Sequence, residues 1–126
     1  MWLEAYQHNP LDLNLIQTHL MQLLNTRQGS LPYLPDYGMP DLNEIYQQLP
    51  ESLSFLIDNV KTLIERYEPR LSQVVILPYL SDAMDCVVHL KLQAVYAPSA
   101  DKAPVFFETY FLSGGEAEVA WLPDWH

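Results

Sequence analysis

Cations are scarce in this chain: six Lys plus Arg stand against sixteen Asp plus Glu, giving a formal net charge of −10 and a pI near 4.5. Nucleic acids and anionic membranes are held by cationic faces, so this balance argues against both and favours a basic protein surface as partner. Cysteine is almost missing too. The lone Cys86 excludes an internal disulfide, and its strand-like surroundings read as a small buried side chain and not a nucleophile. No apolar run approaches the roughly 20 residues that span a bilayer, and Met1-Trp2-Leu3-Glu4-Ala5-Tyr6 lacks the basic and long apolar segments of a secretion signal. A cytoplasmic protein without direct membrane insertion is expected. Also missing are a Gly-rich phosphate loop after a strand and a nucleophile elbow. His8, His19, His89 and His126 show no metal-ligand spacing and read as ordinary surface or half-buried histidines. No catalytic residue, cofactor, metal or small-molecule substrate is therefore expected.

What is present fits one domain over residues 1–126, with residues 1–9 as an N-terminal arm. Apolar residues make up 49 % of the chain, enough to fill a single core. Asn9-Pro10 reads as an N-cap with proline at the first helical position, followed by an apolar stripe at Leu13, Ile16, Leu20, Leu23 and Leu24 that ends near Gly29. Residues 29–40 hold three prolines and two tyrosines, which predicts an ordered loop. Asp41 and Glu44 form a capping-box pattern for a short helix closed by Pro50. The best helical pattern covers residues 51–67, with Leu53, Leu56, Ile57, Val60, Leu63, Ile64 and Tyr67 on one face.

Strand patterns fill the second half. Residues 73–79 are apolar and β-branched, with Pro78 suggesting an edge or an end. Residues 86–96 alternate, with Cys86, Val88, Leu90, Leu92, Ala94 and Tyr96 inward and Val87, His89, Lys91, Gln93 and Val95 outward. Residues 105–112 and 116–122 flank the Ser113-Gly114-Gly115 turn and predict a hairpin. The expected fold is α+β: two main helices plus a short one on one face of a mostly antiparallel four-stranded sheet.

The chain pivots on Tyr67-Glu68-Pro69-Arg70-Leu71, where helix gives way to sheet. Proline pushes the residue before it out of the helical region, so the helix should stop at or just before Glu68. That leaves a carboxylate at the unfavourable end of the helix dipole. It either projects into water or meets a cation, for which Arg66, Arg70 and Arg27 are the candidates. Local sequence leaves open whether the result is an exposed pair or a buried one.

Three segments in this order and spacing carry a family resemblance: Leu23-Leu24-Asn25-Thr26-Arg27-Gln28-Gly29-Ser30, Leu34-Pro35-Asp36-Tyr37-Gly38-Met39-Pro40-Asp41-Leu42, and Tyr67-Glu68-Pro69-Arg70-Leu71. Together they resemble the TssE family of type VI secretion baseplate proteins, itself similar to the small baseplate-wedge protein of contractile-tailed phages. The resemblance covers roughly residues 10–122. It implies a non-enzymatic wedge subunit that docks onto TssF and TssG near TssK and the VgrG hub, and that offers a platform on which the TssB/TssC sheath starts. In that family the Glu-Pro-Arg motif, here Glu68, Pro69 and Arg70, is associated with docking; Leu71 and Arg27 join it as candidate interaction residues. A second candidate surface is the free edge of the C-terminal hairpin, at Glu116, Glu118 and Val119, as a site of strand addition.

Two rival readings remain. The phage relatives have been described as lysozyme-like, and a glycoside hydrolase would pair Glu68 with Asp36 or Asp41. The anti-adaptor IraD resembles the same fold and acts by binding a response regulator, although fold similarity alone does not carry function.

Overall fold

The computed structural model describes residues 10–80, 85–97 and 104–122. The N-terminal arm, and with it the Asn9 cap, lies outside these residues. Helix α1 runs Pro10–Asn25, α2 Leu42–Gln47 and α3 Leu53–Tyr67; strands β1 Leu71–Tyr79, β2 Cys86–Tyr96, β3 Pro104–Leu112 and β4 Ala117–Leu122 follow. The strands lie in sequence order, each antiparallel to the next, so β1 and β4 form the two edges. Short connections permit this meander and no parallel crossover.

The α1 and α3 stripes cover one face of the sheet, as their spacing predicts. Leu13, Ile16, Leu20 and Leu23 from α1 meet Leu56, Val60 and Ile64 from α3 over Leu90, Leu92, Phe107 and Phe111 of the central strands. Burying each of these large side chains stabilises the fold by about 1.5–3 kcal/mol before entropy is counted. Asp41 caps α2 by accepting from the Asn43 amide at 3.0 Å.

The 29–40 loop is ordered through specific contacts. Arg27 and Met39 form a parallel bridge, with the Met39 amide donating to Thr26 O and the Gln28 amide to Met39 O, both at 2.8 Å. Gly38 makes this approach possible. Its φ is +108°, and a Cβ there would stand 2.4 Å from Thr26 O. Tyr37 then packs edge-on against Tyr67 at 4.9 Å between ring centroids, joining the loop to the last turn of α3.

Two strand expectations need correction. β1 begins at Leu71, not at residue 73, because Gln73 takes a positive φ of 51° and forms a bulge that breaks the alternation. Lys91 falls on the predicted outward face of β2 yet is only 9 % exposed. Its ammonium sits 4.4 Å from the Tyr79 ring centroid and 3.9 Å from Glu108, while His89 stacks on Tyr110. The side chains of β1 and β3 thus cover the outer face of β2, which the period-2 pattern alone assigns to solvent.

Candidate protein-docking site

Helix α3 stops where proline requires it to. Glu68 is the C-cap residue, its amide donating to Ile64 O at 2.9 Å, and Pro69 turns the chain so that β1 starts at Leu71. The turn is fastened on both sides. The Leu71 amide donates to Glu68 O at 3.1 Å, and the Ala97 amide at the end of β2 donates to Arg70 O at 2.8 Å.

The Glu68 carboxylate is 1 % exposed, a burial that an anion tolerates only when its oxygens are fully engaged. They are. Oε1 accepts from the Arg70 amide at 3.1 Å and Arg70 Nε at 2.8 Å; Oε2 accepts from Arg70 Nη2 at 2.9 Å and from His19 Nδ1 at 2.8 Å. The Arg70 fork is therefore bidentate. An ionised carboxylate only accepts, so His19 must carry its proton on Nδ1. Burial alone would raise the Glu68 pKa, but the hydrogen bonds from Arg70 and His19 outweigh it and hold the carboxyl below its ordinary value. The same hydrogen bond raises Arg70 in turn. Beside the pair, the Tyr96 hydroxyl donates to Asp12, and burial together with that bond pushes the phenol up to about 12.

The Arg70 side chain remains 35 % exposed and Pro69 is exposed. The arrangement is thus a buried anion holding a guanidinium at the surface in one fixed orientation. It can present directed N–H donors to another protein at little further entropic cost.

The remaining expected residues are placed differently. Arg27 and Arg66 are not partners of Glu68. Arg27 lies 3.9 Å from Asp41 and Arg66 3.2 Å from Asp36, both as exposed pairs of small energetic weight. Leu71 and Val119 are core residues, 3 % and 4 % exposed, so neither offers its side chain to a partner. Glu116 and Glu118 are exposed at the start of the hairpin's outer strand. The backbone edge of that strand is engaged by α1: Asn25 bonds both the N–H and the C=O of Ala117 at 2.8 Å, and the Trp121 amide donates to Gln17 at 2.7 Å. Nothing local in the sequence marks His19, whose partner lies 49 residues away.

The sequence profile of the family described as baseplate wedge protein gp25 matches residues 12–96. The chain belongs to the gp25 baseplate wedge family. The matched span contains His19, Glu68, Arg70 and Tyr96. The baseplate wedge protein gp25 of Enterobacteria phage T4 is 23 % identical over 91 residues, covering 70 % of this chain and 68 % of the phage protein. A chain in the baseplate complex from the type VI secretion system shares the fold with a TM-score of 0.62 at 23 % identity, over 81 % of this chain and 94 % of that one. Among the described residues of this gp25-family chain, no helix is long and apolar enough to cross a membrane.

A glycosidase general acid needs a raised pKa, whereas Glu68 is held down and buried. Asp36 and Asp41 are exposed and tied to Arg66 and Arg27.

Proposed function

We propose that this chain is a TssE-type wedge subunit of a type VI secretion baseplate, acting by assembly and not by catalysis. It docks onto TssF and TssG through the surface formed by Pro69 and Arg70, close to TssK and the VgrG hub, on the cytoplasmic side of the inner membrane. There it serves as the platform on which the first TssB/TssC sheath ring forms. Membership of the wedge family supports the structural role. The observation that carries the docking site is the Glu68–Arg70 lock: a carboxylate 1 % exposed, bonded twice to a guanidinium that still reaches solvent.

Such a lock is costly to bury and is not needed to end a helix, since Pro69 does that alone. An orienting role for Arg70 accounts for it. The fork is fixed before any partner arrives, so docking spends little on ordering it. The overall charge of −10 steers the chain toward basic surfaces.

Co-purification tests the reading. Glu68→Ala should remain folded by circular dichroism at low temperature yet lose capture of TssF and TssG, because a released Arg70 no longer points in one direction. Undiminished capture by a folded Glu68→Ala chain would refute the docking role. If the chain instead pulled down a receiver-domain protein and no baseplate subunit, the anti-adaptor reading would replace it.

A further inference from the structure

The lock occupies one edge of the Arg70 guanidinium and leaves the other open. Nε and one N–H of Nη2 bond the Glu68 carboxylate. The second N–H of Nη2 and both N–H groups of Nη1 meet no partner among the described residues, on a side chain 35 % exposed. A guanidinium is planar, so these donors lie in the plane that Glu68 fixes and point away from the carboxylate. Their direction is set before anything binds.

His19 places a group of the opposite kind beside them. Its Nδ1 carries the proton that Glu68 Oε2 accepts, so in the neutral ring Nε2 is left with a lone pair and no hydrogen. Nε2 has no partner either, and among the described residues the buried side-chain nitrogens without one all belong to His89. His19 Nε2 is therefore open to solvent, on a side chain 28 % exposed. Arg70 Nη2 and His19 Nδ1 hold the same oxygen from 2.9 and 2.8 Å, which makes donor and acceptor neighbours. Helix α1 adds an apolar surface. Leu15 lies four residues before His19, on the same face of the helix, and is 52 % exposed.

Few groups suit both neighbours at once. A carboxylate would satisfy Arg70 but turn an oxygen toward the Nε2 lone pair, and it would be a third anion beside Glu68 and Asp12, whose charges both act on Arg70. An ammonium or guanidinium would satisfy Nε2 but stand against the Arg70 charge. A hydroxyl has to serve both through one oxygen. A carboxamide carries its C=O and N–H on two atoms of a single planar edge, so each neighbour has its own. A main-chain strand offers the same two groups, yet it brings further N–H and C=O groups that α1, bonded within itself, leaves unsatisfied. The methylene stem of an Asn or Gln instead finds Leu15.

Resting on the docking reading, we propose that Arg70 and His19 together form a recognition site for a neutral carboxamide, and that its occupant is an Asn or Gln side chain of the docked subunit. Arg70 donates to the amide oxygen, and His19 Nε2 accepts from the amide N–H. His19 is thus an interaction residue in its own right and not only a brace for Glu68. The overall negative charge brings the chain toward basic surfaces, whereas this site selects an uncharged group once the surfaces meet.

The test uses His19→Asn, whose Nδ2 stands where the ring nitrogen donates to Glu68 but which has nothing at the position of Nε2. In titration calorimetry against a purified TssF–TssG complex, His19→Asn should bind at least about threefold more weakly than the unaltered chain, the loss of one hydrogen bond. A smaller difference would overturn the proposal while leaving the docking site standing. No binding by the unaltered chain would refute the docking reading and this proposal together. Two measurements on the unaltered chain decide the matter even if His19→Asn does not fold. Long-range 1H–15N spectra of the isolated chain at pH 8 should place the His19 proton on Nδ1, and a proton on Nε2 would overturn the proposal. A structure of the chain bound to TssF–TssG should show an Asn or Gln side chain bonded to both Arg70 and His19; a carboxylate, a cation, a hydroxyl or no group in that place would overturn it as well.

Discussion

Removing either member of the Glu68–Arg70 pair breaks the two bonds from the guanidinium, and Glu68→Ala also releases His19 and the Arg70 amide; the two losses should still differ in cost because the members differ in burial. Arg70→Ala leaves a carboxylate that is 1 % exposed with His19 as its remaining side-chain partner. An uncompensated buried charge of this kind costs about 3–5 kcal/mol. Glu68→Ala leaves a guanidinium that is 35 % exposed and free to rehydrate. Its loss is then mainly that of charge-assisted hydrogen bonds sharing one carboxylate, about 2–3 kcal/mol in total and not the sum of the separate bonds. Arg70→Ala should therefore be the more damaging substitution by about 1–2 kcal/mol. Urea unfolding of the isolated chains at pH 7, with m-values checked for constancy, reads this difference directly. Equal losses, or a greater loss from Glu68→Ala, would refute the claim that burial of the carboxylate makes the pair a lock.

The pair should also make stability depend on acid. The folded-state pKa of Glu68 lies below its ordinary value, so its contribution is complete above that ordinary value and disappears as pH falls through the lower folded one. The stability gap between the unaltered chain and Glu68→Gln should accordingly narrow between pH 5 and pH 3 in urea titrations, and a constant gap would contradict the sign. His19→Ala removes one charge-assisted bond from the same carboxylate and should cost about 1.5–3 kcal/mol in the same assay. Gly38→Ala combines a positive φ with a Cβ 2.4 Å from Thr26 O, so it should cost at least about 2 kcal/mol and speed exchange of the Met39 and Gln28 amides. Retained protection at those amides would show that the loop accommodates the methyl group.

Much of the fold is legible in the sequence because its determinants are local. The α1 and α3 stripes, the β2 alternation and the Ser113-Gly114-Gly115 hairpin each depend on residues within a few positions of one another. The Glu68-Pro69-Arg70 turn is of the same kind, since Arg70 reaches Glu68 from two residues away. What the sequence hides is long-range. His19 meets Glu68 across 49 residues, Asp12 meets Tyr96 across 84, and Asn25 and Gln17 meet β4 across 92 and 104. Nothing in a spacing rule selects His19 from the other histidines or distinguishes Asn25 from a helix-end polar residue. Lys91 misleads for a different reason: alternation assigns it to the outer face correctly, but the rings and carboxylate around it bury its stem. The Gln73 bulge likewise conceals Leu71 and Ser72 as strand residues.

On the proposed reading, Arg70 faces the partner as a donor fixed from below by the buried Glu68 carboxylate. The most direct test is titration calorimetry of a purified TssF–TssG complex with the unaltered chain and with Arg70→Lys, a substitution that keeps the charge but replaces the planar fork with a point charge. Affinity should be at least about tenfold weaker for Arg70→Lys, some 1.4 kcal/mol, with both chains folded at the temperature of measurement. Equal affinity of the two chains would contradict that reading.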